Sequence, residues 1–127
     1  MTLQALAYIN DRLTEAGINY HFMRYNFGQG DPEYPYSVGS YSENDDAAED
    51  GGQSATFTVN AWTRGTWMEL ERVKATIKAL FPVTGATAIL EDGSGLVVSY
   101  VRSQPIPTGD EELKRIEIIL TVKEWSE

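Results

Sequence analysis

Hydrophobic residues recur along this chain with two spacings, and each spacing predicts one kind of element. Spacings of three and four after Thr2 indicate an amphipathic helix that Gly17 can end. A second helical stripe follows Thr66 and Glu69, which have the spacing of a capping box, and Pro82 ends it. The predicted buried positions of the two helices are Leu6, Ile9, Leu13 and Ala16, then Leu70, Val73, Ile77 and Leu80.

Alternation of apolar and polar residues predicts strands in the rest of the chain, most clearly at residues 55–62. We predict one domain over residues 1–127 with an α+β fold. The fold is a mainly antiparallel sheet of five to six strands with two helices packed on it, in the order α-β-β-β-α-β-β(-β). The other predicted strands are 18–27, 34–38 with Pro35 at an edge or bulge, 87–90, 96–102 before a loop at 105–109, and 115–125.

The segment at residues 43–52 is strongly acidic and separates two predicted strands. A segment this polar cannot bury enough apolar surface to offset its ordering entropy, so we expect a mobile loop. It is either a solvated loop that only aids solubility or a surface used by something outside the monomer. Its five carboxylates, of nineteen in the chain, are Glu43, Asp45, Asp46, Glu49 and Asp50.

Composition narrows the classes of function. The net charge of -9 and the isoelectric point of about 4.5 disfavour charge-driven binding to nucleic acids or anionic membranes. The chain has no cysteine, which excludes disulfides, thiolate nucleophiles and sulfur-ligated metals. Residues 1–5 lack the basic start of a signal peptide, so we expect a protein that is made in, and assembles in, a cytoplasm.

Catalytic and metal-binding patterns are weak. His21 is the single histidine, so one chain offers no two-histidine metal site. Asp46 and Asp50 match two ligand positions of an EF-hand loop, but Ala48 and Phe57 stand where further ligands are needed. We therefore expect a protein that is not an enzyme, with no catalytic residue, cofactor or metal ion.

Large aromatic residues fall outside the predicted core. Trp and Tyr anchor many protein interfaces because they bury much area at little entropic cost. Some of these rings can simply cover the second face of the sheet; the sharper hypothesis is an interface. The candidate interface aromatics are Tyr34, Tyr36, Tyr41, Trp62, Trp67 and Trp125.

Four segments together resemble the tail terminator and minor tail (tail completion) proteins of long-tailed bacteriophages and prophages. In that family an aromatic-Val-Gly strand precedes a variable polar loop, a strand ending in Trp-Thr and a helix ending in Leu-Phe. The corresponding segments here are 35–41 (PYSVGSY), 56–63 (TFTVNAWT) and 70–81 (LERVKATIKALF), and residues 115–125 fit the final strand.

The resemblance implies a structural virion protein of the tail or neck, assembled in the bacterial host cytoplasm. Six copies would form a ring that caps the tail tube and joins it to the head. The expected partners are therefore further copies of the chain, the tail tube protein and a head-completion or connector protein, with no specific nucleic-acid recognition and no membrane. In such a ring the acidic loops would bring together about thirty carboxylates, facing the lumen or a partner.

Two alternatives stay open. Another phage neck component, such as a head-closure or head–tail connector protein, would share the ring assembly and differ in its partner. An unrelated small α+β binding module would instead show a deep pocket with convergent polar groups.

Overall fold

The computed structural model describes residues 1–23, 33–43 and 53–125. These ranges hold two helices and six strands in the order α-β-β-β-α-β-β-β, which confirms the predicted fold class. The elements are α1 (Leu3–Glu15), β1 (Tyr20–Phe22), β2 (Tyr36–Glu43), β3 (Gln53–Thr63), α2 (Trp67–Leu80), β4 (Ala86–Ile89), β5 (Gly95–Ile106) and β6 (Lys114–Trp125).

The strands form one sheet in the order β1-β2-β3-β6-β5-β4. Its centre is the antiparallel pair of β3 and β6, which runs in register from Gln53 opposite Glu124 to Thr63 opposite Lys114. The other neighbours are also antiparallel, except for β1 and β2, which are parallel. β3 and β6 therefore lie in the middle of the sheet, and each has a hydrogen-bonded neighbour on both sides.

Within the described residues, the first strand covers Tyr20–Phe22 of the predicted range 18–27. Ile18 and Asn19 precede it, and Met23 follows it with a φ of 71°, in the left-handed region. The predicted strand residues 24–27 stay a prediction. Residues 24–32 lie outside the described ranges. β1 pairs with Ser37–Gly39 of β2, so this part of β2 is not the edge that Pro35 suggested. Pro35 itself lies just before β2.

Both helices pack on the same face of the sheet and enclose the core there. The alternation in β3 and β6 is confirmed, since every second residue of each strand is buried. Ala16 was predicted to be buried but is exposed, because it caps the end of α1, and Ala5 is buried instead. The buried apolar residues are Ala5, Ile9, Leu13, Ala55, Phe57, Val59, Ala61, Leu70, Val73, Ile77, Phe81, Leu96, Val98, Ile116, Ile118, Leu120 and Val122.

The ends of α1 are as the sequence predicts. The hydroxyl of Thr2 accepts a 3.1 Å hydrogen bond from the backbone N–H of Ala5, which satisfies one of the free donors of the first turn. Gly17 has a φ of 86°, which a residue without a side chain adopts at little cost.

The predicted capping box of α2 is wrong. Thr66 does occupy the N-cap position, but its side chain makes no capping hydrogen bond. The carboxylate of Glu69 instead accepts a hydrogen bond from the hydroxyl of Thr63, the last residue of β3. Thr63 is fully buried, and its hydroxyl also accepts a 3.0 Å bond from the N–H of Gly65. The turn from β3 into α2 is therefore fixed by the strand and not by the N-cap.

Strand β5 is longer than the predicted range 96–102. β5 continues to Ile106 and includes Pro105, which was assigned to a loop. A bulge between Tyr100 and Arg102 takes up one residue and keeps the later part of β5 in register with β6. The connection is therefore residues 107–113.

Candidate functional site

The face of the sheet opposite the helices, here called the open face, carries one row of large side chains. Strand alternation puts Tyr36 of β2 and Trp62 of β3 on this face, directly opposite each other. Trp62 pairs in turn with Arg115 of β6, and Arg115 with Ile106 of β5. The row therefore crosses four neighbouring strands at one end of the sheet.

Three members of this row are in contact with one another, and Tyr34, just before β2, joins them. The rings of Tyr34 and Tyr36 have centroids 5.5 Å apart, and those of Tyr36 and Trp62 are stacked at 5.1 Å. The guanidinium carbon of Arg115 lies 5.4 Å from the Trp62 centroid, and its Nε donates a 3.0 Å hydrogen bond to Oδ1 of Asn60. We call Tyr34, Tyr36, Trp62 and Arg115 the aromatic–arginine ladder.

The Tyr34 end of the ladder is held by a polar contact. Hydrogen bonds to Tyr34 and then to Asp110 raise the pKa of Arg64. Nη1 of Arg64 lies 3.2 Å from Oδ2 of Asp110. The backbone N–H of Glu112 and then Arg64 lower the pKa of Asp110, so this carboxylate stays ionised. The ladder is thus tied to the connection between β5 and β6.

That connection is itself ordered by short-range hydrogen bonds. The hydroxyl of Thr108 donates to the carbonyl oxygens of Asp110 and Leu113, at 3.0 and 2.7 Å. Oδ1 of Asp110 accepts a 2.9 Å bond from the N–H of Glu112. These bonds fix the backbone beside the ladder, where Glu111 and Glu112 are exposed.

The open face differs in charge from the rest of the chain. Among the described strands it carries Arg102, Arg115 and Lys123 against one carboxylate, Glu117. Oε1 of Glu117 accepts a 3.2 Å hydrogen bond from the side chain of Gln104. Because the whole chain has nineteen acidic and ten basic residues, a locally basic face is unexpected from composition.

The predicted interface aromatics do not form one cluster. Tyr34, Tyr36 and Trp62 meet in the ladder. Trp125 is on the open face, where its indole packs over Gly95 so closely that a methyl group there would collide with it.

Tyr41 and Trp67 lie elsewhere. Tyr41 faces the helices and stacks on Phe22 with centroids 6.2 Å apart, because five residues separate it from Tyr36 and so put it on the other face. Trp67 begins α2 and is 43% exposed.

The acidic segment is described only at its first residue. Glu43 ends β2, is exposed, and forms an ion pair with the amino group of Met1. Asp45, Asp46, Glu49 and Asp50 lie outside the described residues, as do the EF-hand positions considered for them. A partner-facing or lumen-facing role for this loop stays a prediction.

The described residues show no group that could hold a metal ion through three or more His, Asp or Glu side chains. Nε2 of His21 lies 3.0 Å from Oδ1 of Asn19. A hollow of about 460 Å³ lies between the ends of α1 and α2, lined by residues that include Glu33, Glu69 and Arg72. Neither described helix has the length and apolar composition needed to cross a membrane.

Sequence reasoning missed the polar half of the ladder. Arg115 and Asn60 both occupy polar positions of alternating strands, but periodicity gives no register between strands. Asn60 and Trp62 are two residues apart and so share the outward face of their strand. This spacing was the one signal in the sequence that placed a polar group beside the tryptophan. Arg64 gave no signal, because it reaches Tyr34 and Asp110 only through the folded turn.

Comparison with known proteins supports the fold. No family model matches the chain, and no curated protein matches it. A chain of a solved structure described as the virion of a native gene transfer agent particle aligns with a TM-score of 0.66 at 14% identity, covering 98% of this chain and 95% of that one. A second solved structure aligns with a TM-score of 0.62 at 18% identity, with 98% and 92% covered. At these identities the likeness establishes a shared fold.

Proposed function

We propose that this protein is a structural component of a phage-like virion, without enzymatic activity, and that within the particle it acts as a tail terminator. The observation that carries the proposal is the fold, which matches a chain of a gene transfer agent virion over almost the whole of both chains. That match and the sequence resemblance to tail terminator proteins point to the same kind of particle.

The open face supports an assembly role. Tyr, Trp and Arg are the residues most often found as energetic anchors of protein interfaces, and the ladder brings four of them together in fixed positions. In a tail terminator this surface would contact further copies in the ring, the tail tube protein or a head-completion protein. The protein would then belong to the tail or neck of the virion, after assembly in the host cytoplasm.

Inactivating the gene in the strain that makes the particle tests the terminator role. A terminator stops growth of the tube and joins it to the head, so its loss should leave filled heads without tails and tubes longer than normal. Electron microscopy of the lysate measures both. Tails of normal length attached to heads in the mutant would contradict the proposal.

A head-closure or connector protein is the second candidate. The match is compatible with this role as well, because it is to a chain of a whole virion. For that role the same mutant should produce tails of normal length, because the tube would still be terminated, together with heads that fail to join them. Tail length in the mutant therefore separates the two candidates.

A further inference from the structure

Two arginines of the open face, Arg102 and Arg115, have no acidic partner among the described residues. Arg102 is exposed opposite Ile119, and Arg115 is held by the neutral groups of Trp62 and Asn60. The open face therefore presents two positive charges, of which that of Arg115 is held in the aromatic–arginine ladder.

The same chain carries a matching acidic pair at the edge of this face, in the connection beside the ladder. Glu111 and Glu112 are adjacent and exposed in the 107–113 connection, and neither forms an ion pair within the described ranges. The carboxylate of Asp110 differs, because Arg64 and the N–H of Glu112 already occupy it. Because the backbone of this connection is already ordered, the pair loses only side-chain freedom when it binds.

The charges also restrict how two copies can meet. A contact that stacked the arginine-bearing parts of two open faces directly on each other would place Arg102 and Arg115 of both copies close together, and like charges repel. A contact between the open face of one copy and the acidic connection of the next joins opposite charges. Such a head-to-tail contact uses two different surfaces, which is the kind of contact that closes rings.

We infer that the aromatic–arginine ladder together with Arg102 receives the 107–113 connection of a neighbouring copy, with Glu111 and Glu112 facing the arginines. This inference rests on the proposed function, since it supplies the contact between copies that a ring requires. The partner that binds the ladder is then a second copy of the chain, and not a different virion protein or a nucleic acid.

Disulfide trapping tests this contact directly, because the natural chain has no cysteine. Two single variants, Arg102→Cys and Glu111→Cys, are purified separately, mixed at high concentration and oxidised with oxidised glutathione. Arg115 and Glu112 keep one charge pair in each variant. A head-to-tail contact predicts a mixed dimer that forms about tenfold faster than either homodimer, because the contact raises the local thiol concentration.

The control mixes Glu111→Cys with Lys78→Cys, which replaces an exposed cation on α2 instead of one on the open face. This mixture should form mixed dimers at the slow rate of random collision. Equal rates in the two mixtures, or faster homodimers of Arg102→Cys, would overturn the inference. Loss of the selective cross-link when excess single-stranded DNA is added would also overturn it, because the DNA would then occupy the arginines.

The outcomes separate this inference from the proposed function. Normal tail termination with no selective cross-link would remove the contact and leave the terminator role standing. A selective cross-link in a protein whose gene has no effect on tail length would support the contact between copies and remove the terminator role.

Discussion

The guanidinium of Arg115 lies over the indole ring of Trp62, 5.4 Å from its centroid, on the face of the sheet that the helices leave open. The contact joins the two central strands, β6 and β3, and holds the arginine through groups that carry no charge. The side chain is ordered, yet its positive charge stays available to a partner. This arrangement suits a surface that binds another protein.

Trp62 should contribute to stability as well as to binding. We expect Trp62→Ala to lower the free energy of unfolding by about 2 kcal/mol, because it removes the stacking with Tyr36 and the contact with Arg115. Urea unfolding followed by circular dichroism measures this loss. Trp67→Ala is the matched control, and it should cost about 0.5 kcal/mol or less because Trp67 is 43% exposed. Equal losses would show that the ladder is not an ordered contact.

The hydroxyl of Thr63 should matter more than that of the N-cap residue. Thr63→Val removes the donor to Glu69 and the acceptor for the N–H of Gly65 at a buried position. We expect a loss of about 1–3 kcal/mol in the free energy of unfolding. Thr66→Ala should cost less than about 0.5 kcal/mol, because the Thr66 side chain makes no capping bond. The reverse order in thermal or urea unfolding would restore the capping box that the sequence suggests.

Tyr20 should make the protein sensitive to alkali. Burial raises the pKa of its phenol above the ordinary value of 10.0, and the hydroxyl donates a 2.7 Å bond to Asn10. The unfolded chain then loses this proton at lower pH than the folded protein. The contribution of Tyr20 to the free energy of unfolding should therefore be fully present below about pH 10 and decrease as the pH rises above 10.

Unfolding free energies measured from pH 8 to 11 check this for the wild type and for Tyr20→Phe. The variant should be less stable at neutral pH by about 1 kcal/mol, since it lacks the bond to Asn10, and should decline less steeply above pH 10. Identical slopes would show that Tyr20 does not govern the alkaline loss.

Much of the core could be predicted from the sequence, because burial imposes its period directly on the chain. Phe57 and Val59 in β3, and Leu70 and Ile77 in α2, are all fully buried as their spacing predicts. The parallel pairing of β1 with β2 could not be predicted, since a strand of three residues gives no usable period.

The candidate site was predicted less completely than the core. Tyr36 and Trp62 were placed outward, but their stacking depends on the register of β2 on β3, which alternation does not determine. Tyr41 was grouped with Tyr36 by closeness in sequence, although an odd separation puts two strand residues on opposite faces. The cap of α2 involves Thr63, which becomes a neighbour of Glu69 only when the turn has formed.

The central claim is that this protein assembles as a ring at the end of a tail tube. Electron microscopy of the purified protein mixed with the tail tube protein of the same particle tests it most directly. We expect rings seated on one end of each tube, and tubes that stop growing once the protein is added. Tubes with two open ends that keep growing, and no protein bound to either end, would contradict it.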